Sequence, residues 1–204
     1  MIERMIQFFL AGGWVMYPLL LMSVLSLTLI FERTVFWMFT VQKHGKARLT
    51  RYLELFGTNQ VSTALKEAAK DSTLEGELVQ SGLQSDARSE AVLIGHIEAM
   101  RPTIERFAPV LGAIIAAAPL LGILGTVTGI IRSFDLLGDA AAVSDPSVVA
   151  GGIAEALYTT AFGLTIALVT LFPHVVFKSC AERALGRLEI LVGVIAEHAG
   201  DGHD

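Results

Sequence analysis

Three runs of this chain contain no Asp, Glu, Lys or Arg: Met5 to Phe31, Phe107 to Ile131 and Ala156 to Phe177. At about 20 residues per crossing, each is long enough to traverse hydrocarbon as a helix. An isolated span in lipid must satisfy its own backbone hydrogen bonds, which makes helix its default conformation. A soluble domain would spread its apolar residues through amphipathic elements. Here 53% of the residues are hydrophobic and they are bunched. The expected fold class is an all-α integral membrane protein with three transmembrane helices and long helical cytoplasmic extensions.

Several function classes fall away early. The formal charge is -5, and no basic patch or aromatic stacking motif points to nucleic acid. Cys180 is the single cysteine, which excludes an internal disulfide and any Cys-based metal cluster. It reads as a small apolar residue at the inner end of the third span. His44 and His96 lack companions at ligand spacing, so no metal site is expected. The N-terminal apolar run is too long for a secretory signal and carries Glu3 beside Arg4. It is read as a retained first span.

Of the 15 Lys and Arg residues, ten lie from Arg33 to Arg106 and three more, Lys178, Arg183 and Arg187, follow the third run. Only Arg4 and Arg132 fall elsewhere. The positive-inside tendency then places the long middle segment and the C-terminal tail in the cytoplasm. An odd number of spans puts the N-terminus on the opposite side, as this assignment requires. The expected divisions are an outer N-terminal segment 1–11, transmembrane helix 12–38, cytoplasmic helical region 39–106, transmembrane helix 107–131, outer connection 132–152, transmembrane helix 153–177 and cytoplasmic helical tail 178–204.

Ile2, Met5, Ile6 and Phe9 suit an in-plane turn before the first crossing, which Trp14, Tyr17 and Trp37 bracket as interfacial aromatics. Residues 40–106 show helical rather than strand periodicity and are expected to run directly into the second span, bent at Pro102 and Pro109. Lys66, Glu67, Lys70 and Asp71 read as a solvated face. Ser144 or Asp145 before Pro146 is a helix start, and the third helix should continue past Phe177 into the tail. The residues from Gly200 to Asp204 read as frayed.

The first span is a plain anchor, whereas the other two carry polar and small residues along one strip. In the second, Gly112, Ala116, Pro119, Gly122, Gly125, Thr126 and Gly129 make one side nearly free of bulk, and Gly125 with Gly129 forms a small-xxx-small pair. Thr126 fits either a bond back to the Gly122 carbonyl or an ion path. In the third, Ala156, Thr160, Gly163 and Ala167 form a similar strip, with Glu155 and Thr159 one turn apart beside it. Glu155 fits either a side chain reaching outer headgroups or a carboxylate facing a wet crevice. No titratable acid stands in the middle of a span, so a proton relay would need one from a different polypeptide.

APLLGILGTVTGIIRSF and GGIAEALYTTAFGLTIALVTLFP resemble the paired signature helices of the MotA/TolQ/ExbB proton-channel family. The three-span layout and GGWVMYPLLLMSVLSLTLIFER resemble its ExbB and TolQ branch. The resemblance implies a multi-pass subunit of the inner membrane of a Gram-negative bacterium, N-terminus periplasmic, in a homo-oligomeric ring that has five copies in characterised relatives. It implies an ExbD- or TolR-like single-span partner with a membrane aspartate, and a TonB- or TolA-like transducer. Matched residue by residue, Thr126 corresponds to the pore threonine of span two, and Glu155 and Thr160 to the pore glutamate and threonine of span three. Thr159 is counted with them; Gly122, Gly125, Gly129 and Gly163 are the expected packing positions. The translocated ion would be a proton, with no cofactor and no enzymatic step. A non-conducting scaffold is the rival reading.

Overall fold

The computed structural model describes residues 12–38, 45–84, 90–138 and 146–200, and all regular structure among them is helical. In chain order the helices are α1 (Met16–Phe36), α2 (Gly45–Gly57), α3 (Val61–Ala68), α4 (Leu74–Gln84), α5 (Glu90–Ile104), α6 (Ala108–Gly138) and α7 (Pro146–Gly200). Three of them, α1, α6 and α7, are long and apolar enough to cross a membrane. The expected in-plane turn at Ile2 to Phe9, the Ser144 or Asp145 cap, His44 and the last four residues lie outside the described residues.

The chain divides into two compact units. The first holds residues 12–31 and 107–175 among those described, and the second 32–106 and 176–200.

In the first unit, α1 starts after Gly13, whose φ of 65° is the left-handed conformation that glycine adopts without a Cβ penalty. Pro18 falls in the first turn, where an N–H has no intrahelical acceptor, so the ring costs no hydrogen bond. Val15, Met16 and Leu19 of this first turn pack with Ile114, Ala118 and Ile166 into a small core. Trp14 and Tyr17 are each 61% exposed. Pro146 opens α7, its fixed φ suited to a first helical position, and the helix runs unbroken for 55 residues past Pro173.

The second unit has the larger core. Apolar residues recur every three or four positions along the end of α7: Ala181, Ala184, Leu185, Leu188, Leu191, Val192 and Ile195. They bury against Tyr52, Leu55 and Phe56 of α2, Leu78 and Val79 of α4, and Leu93, Ile97 and Ile104 of α5. Cys180 is buried in the same cluster. α2 ends in a Schellman motif: Asn59, at φ 56°, donates to the Phe56 carbonyl at 2.8 Å, and Gln60 donates to that of Leu55 at 2.8 Å. The His198 imidazole lies 2.8 Å from the Phe56 carbonyl and 2.9 Å from that of Val194, tying the end of α7 to the end of α2.

Four sequence expectations are corrected here. Trp37 does not mark a bilayer boundary. It is 3% exposed, edge-on to Phe36 at 5.4 Å, and belongs to the second unit's core. The middle region does not run directly into the second span, because α5 stops at Ile104 and Phe107 takes a φ of 67° before α6 begins. Asp71 is not part of a solvated face. Only 12% exposed, it accepts from Arg48 at 2.7 Å, from the Tyr52 hydroxyl at 3.1 Å, and from the Thr73 hydroxyl and N–H at 2.7 and 3.1 Å. Burial alone would raise its pKa, but these four donors outweigh it and hold the carboxyl below the usual range, while burial and Asp71 together push the Tyr52 phenol up. The first span is more than a plain anchor, since its buried Ser26 hydroxyl lies 2.7 Å from that of Thr170 on α7.

Two further charges are buried. Glu75, 2% exposed, pairs with Arg187 at 2.7 Å. That bond is made by Nε; the terminal Nη2 of Arg187 is buried without a partner, and a side chain at Gly45 would press on the guanidinium at 3.0 Å. Arg33, 3% exposed, is held by Glu32 at 2.6 Å, by the Thr103 carbonyl at 3.1 Å, and over the Phe36 ring at 4.3 Å.

Candidate functional site

The small residues of α6 and α7 bring those two backbones into direct contact. At Gly163, an added Cβ would run into the Ala118 carbonyl oxygen, with the Gly122 Cα at 3.3 Å. At Gly122 it would meet the Thr160 Cα at 2.9 Å and the Thr159 carbonyl at 3.0 Å. At Gly125 it would overlap the Thr159 side chain, and at Gly129 it would lie 2.8 Å from the Ala156 Cβ. Ser133 continues the line, with its Oγ against Gly152. The α6 face in the seam is therefore Ala118, Gly122, Gly125, Gly129 and Ser133, spaced by three or four as one helix side requires. Gly112 stands clear, with nothing within 4 Å of a Cβ there, and Ala116 is exposed.

The matching α7 face is Ala156, Thr159, Gly163, Ile166 and Thr170. Thr159, at 1% exposure, is the more buried of the threonine pair, while Thr160 is half-buried at the seam's margin.

Every threonine hydroxyl here donates to a main-chain carbonyl. Thr160 Oγ1 donates to Gly122 O at 2.8 Å, across the seam. Thr159 Oγ1 lies 2.7 Å from Ala156 O and 3.3 Å from Gly122 O. Thr126 is half-buried and bonds back within its own helix at 2.7 Å, to Ile123 O rather than to the Gly122 carbonyl. One hydroxyl has one proton and two lone pairs, so each still accepts. Glu155 lies in α7 one residue before Ala156, and its side chain falls outside the described residues. The structure thus joins Thr159 and Thr160 to Gly122, and leaves Thr126 outside that hydrogen-bonded group.

One polar contact was missed by sequence reasoning. Ser26 of α1 and Thr170 of α7, both buried, place their hydroxyl oxygens 2.7 Å apart, and Thr170 also bonds to Ile166 O at 2.7 Å. The signal was available: Thr170 falls three helical turns beyond Thr159, on the same side of the helix.

Residues 62–190 match the model of the MotA/TolQ/ExbB proton channel family. A Synechocystis protein named ExbB-like 3 is 32% identical over 91% of this chain and 90% of its own length. Another from that organism, named ExbB-like 1, is 35% identical over 89% of this chain and 74% of its own. The Tol-Pal system protein TolQ of Pseudomonas aeruginosa is 30% identical, covering 85% and 80% respectively.

Proposed function

Because the chain belongs to the MotA/TolQ/ExbB proton channel family, in its ExbB/TolQ branch, we propose that it forms the wall of a proton route whose moving acid is supplied by a second protein. The observation that carries this is the closed seam between α6 and α7. Backbones in contact at Gly122 and Gly163, with Thr159 and Thr160 donating to carbonyls, leave no room for water between these two helices. A route through hydrocarbon then has to run along an outer face of the pair. Such a face becomes a channel only when other chains close it.

The chemistry follows from what the chain lacks. A carbonyl is no proton relay, and no titratable acid lies within the charge-free stretches of α6 and α7. A single-span partner of the ExbD or TolR kind, carrying an aspartate, would fill that gap. Protons would enter past Glu155 and neutralise the partner's acid. The neutral acid passes the apolar lining, donating to lone pairs that the Thr126 and Thr160 hydroxyls keep open. Each charge moved is worth about 2.3 kcal/mol per 100 mV. Release on the far side restores the charge and resets the partner helix against the ring.

In this reading the ring is a homo-oligomer, five-fold as in relatives, in the bacterial inner membrane, with the N-terminus outside as the Lys and Arg distribution favours. The motion passes to a periplasm-spanning transducer. The ExbB-like names of two relatives favour a TonB-type transport role over Tol-type envelope maintenance. Co-reconstitution with the partner in vesicles tests it: Glu155→Gln and Glu155→Ala should both abolish partner-dependent proton flux. Full flux in both returns Glu155 to a headgroup contact and defeats the route. Exchanging Na⁺ for K⁺ at a constant proton gradient should leave the work unchanged.

A further inference from the structure

In the first unit a cavity of about 90 Å³ opens where the start of α1 meets α6. Gly12, Gly13, Trp14, Thr128, Gly129 and Arg132 are among the residues that line it. The volume is that of about three waters of the liquid. We propose that this cavity holds the headgroup phosphate of a membrane phospholipid, bound by Arg132.

The charge points to an anion. Arg132 is the sole Lys or Arg from Phe107 to Phe177, and it takes part in none of the ion pairs among the described residues. A guanidinium binds phosphate oxygens through a planar fork of donors. Thr128 spends its proton on the Leu124 and Gly125 carbonyls, at 2.9 and 3.1 Å. It therefore offers only lone pairs, which suits the hydroxyl or ammonium beyond the phosphate of a glycerol or ethanolamine headgroup.

The surroundings point to a lipid rather than a free ion. Arg132 lies near the end of Ala108–Asp135, an apolar helical stretch long enough to cross a membrane. Val127 and Ile131, its neighbours on α6, are 49% and 54% exposed, and Leu20 and Leu21 on α1 are 43% and 69% exposed. These are surfaces for acyl chains. Trp14, 61% exposed at the rim, has the amphipathic ring that favours headgroup depth.

The full-length protein, delipidated in detergent, is assayed by native mass spectrometry and thermal unfolding with phosphatidylglycerol, with diacylglycerol, and with inorganic phosphate. Phosphatidylglycerol should be retained and raise the melting temperature, and the other two should do neither at equal concentration. Arg132→Gln should weaken retention about tenfold or more, the size of one lost charge-assisted hydrogen bond, and Arg132→Lys by less. Equal retention in Arg132→Gln, or equal stabilisation by diacylglycerol, overturns the site. Stabilisation by inorganic phosphate alone overturns the lipid as its occupant. Arg132→Lys, which keeps the charge, decides the matter if the glutamine variant does not fold; wild-type retention by diacylglycerol and phosphatidylglycerol alike would then count against the site.

Discussion

The Thr160 hydroxyl donates to the Gly122 carbonyl at 2.8 Å, joining α6 and α7 where their backbones are in direct contact. Thr126, the other threonine matched to a pore position, spends its proton within its own helix. Substituting each therefore tests whether the proposed role in conduction is independent of helix packing.

Thr160→Val should lower stability by about 0.6 kcal/mol and by no more than about 1.7, the average and the maximum measured for interhelical bonds in one membrane protein. Thr126→Val should leave stability within about 0.5 kcal/mol, since no interhelical bond is lost. Both should reduce proton flux in vesicles containing the partner. Unfolding in mixed detergent micelles reads the first quantity. A Thr126→Val protein with full flux would favour the scaffold reading.

Gly163 and Gly112 form a matched pair. Gly163→Val drives a side chain into the Ala118 carbonyl and should prevent α6 and α7 from closing, with loss of folded protein in detergent. Gly112→Ala meets nothing within 4 Å and replaces a poor helix former. It should be neutral or stabilise by up to about 1 kcal/mol. Size-exclusion yield and melting temperature check both.

Glu75→Gln leaves the Arg187 charge buried against an amide, and should destabilise the second unit by about 3 to 5 kcal/mol. Replacing both partners, as Glu75→Leu with Arg187→Met, should recover a large part of that loss. Urea denaturation of the full chain, followed by far-UV circular dichroism, measures the difference.

Asp71 predicts a direction for acid sensitivity. Its folded pKa is lowered by its four donors, so its contribution is fully present above the unfolded value, about 3.9. That contribution is lost as pH falls through the lower folded value. Acid titration of the native protein should show a steeper loss than that of Asp71→Asn. The gap between the two curves should be constant above this acidic window and shrink as pH falls through it, and parallel curves throughout would count against the assignment.

What the sequence made legible was the part governed by solvent. Charge-free length reported α1, α6 and α7, and proline position reported the start of α7. Small residues reported which helices pack, but not which of Thr159 and Thr160 turns inward, because neighbours on a helix differ by about 100° and a strip of alanine and glycine tolerates either. Trp37 was misread because an aromatic at the end of a hydrophobic run looks the same whether it meets headgroups or a protein core. Glu75 and Arg187 are 112 residues apart, beyond any local pattern. The Ser26 to Thr170 contact joins hydroxyls 144 residues apart, each unremarkable among its own neighbours.

The chain has two tryptophans, and each compact unit holds one. Trp14 is open to its surroundings while Trp37 is enclosed by its own unit, so their emission bands should differ in wavelength and in access to quenchers. Single-tryptophan variants would let the loosening of either unit be timed without an attached dye.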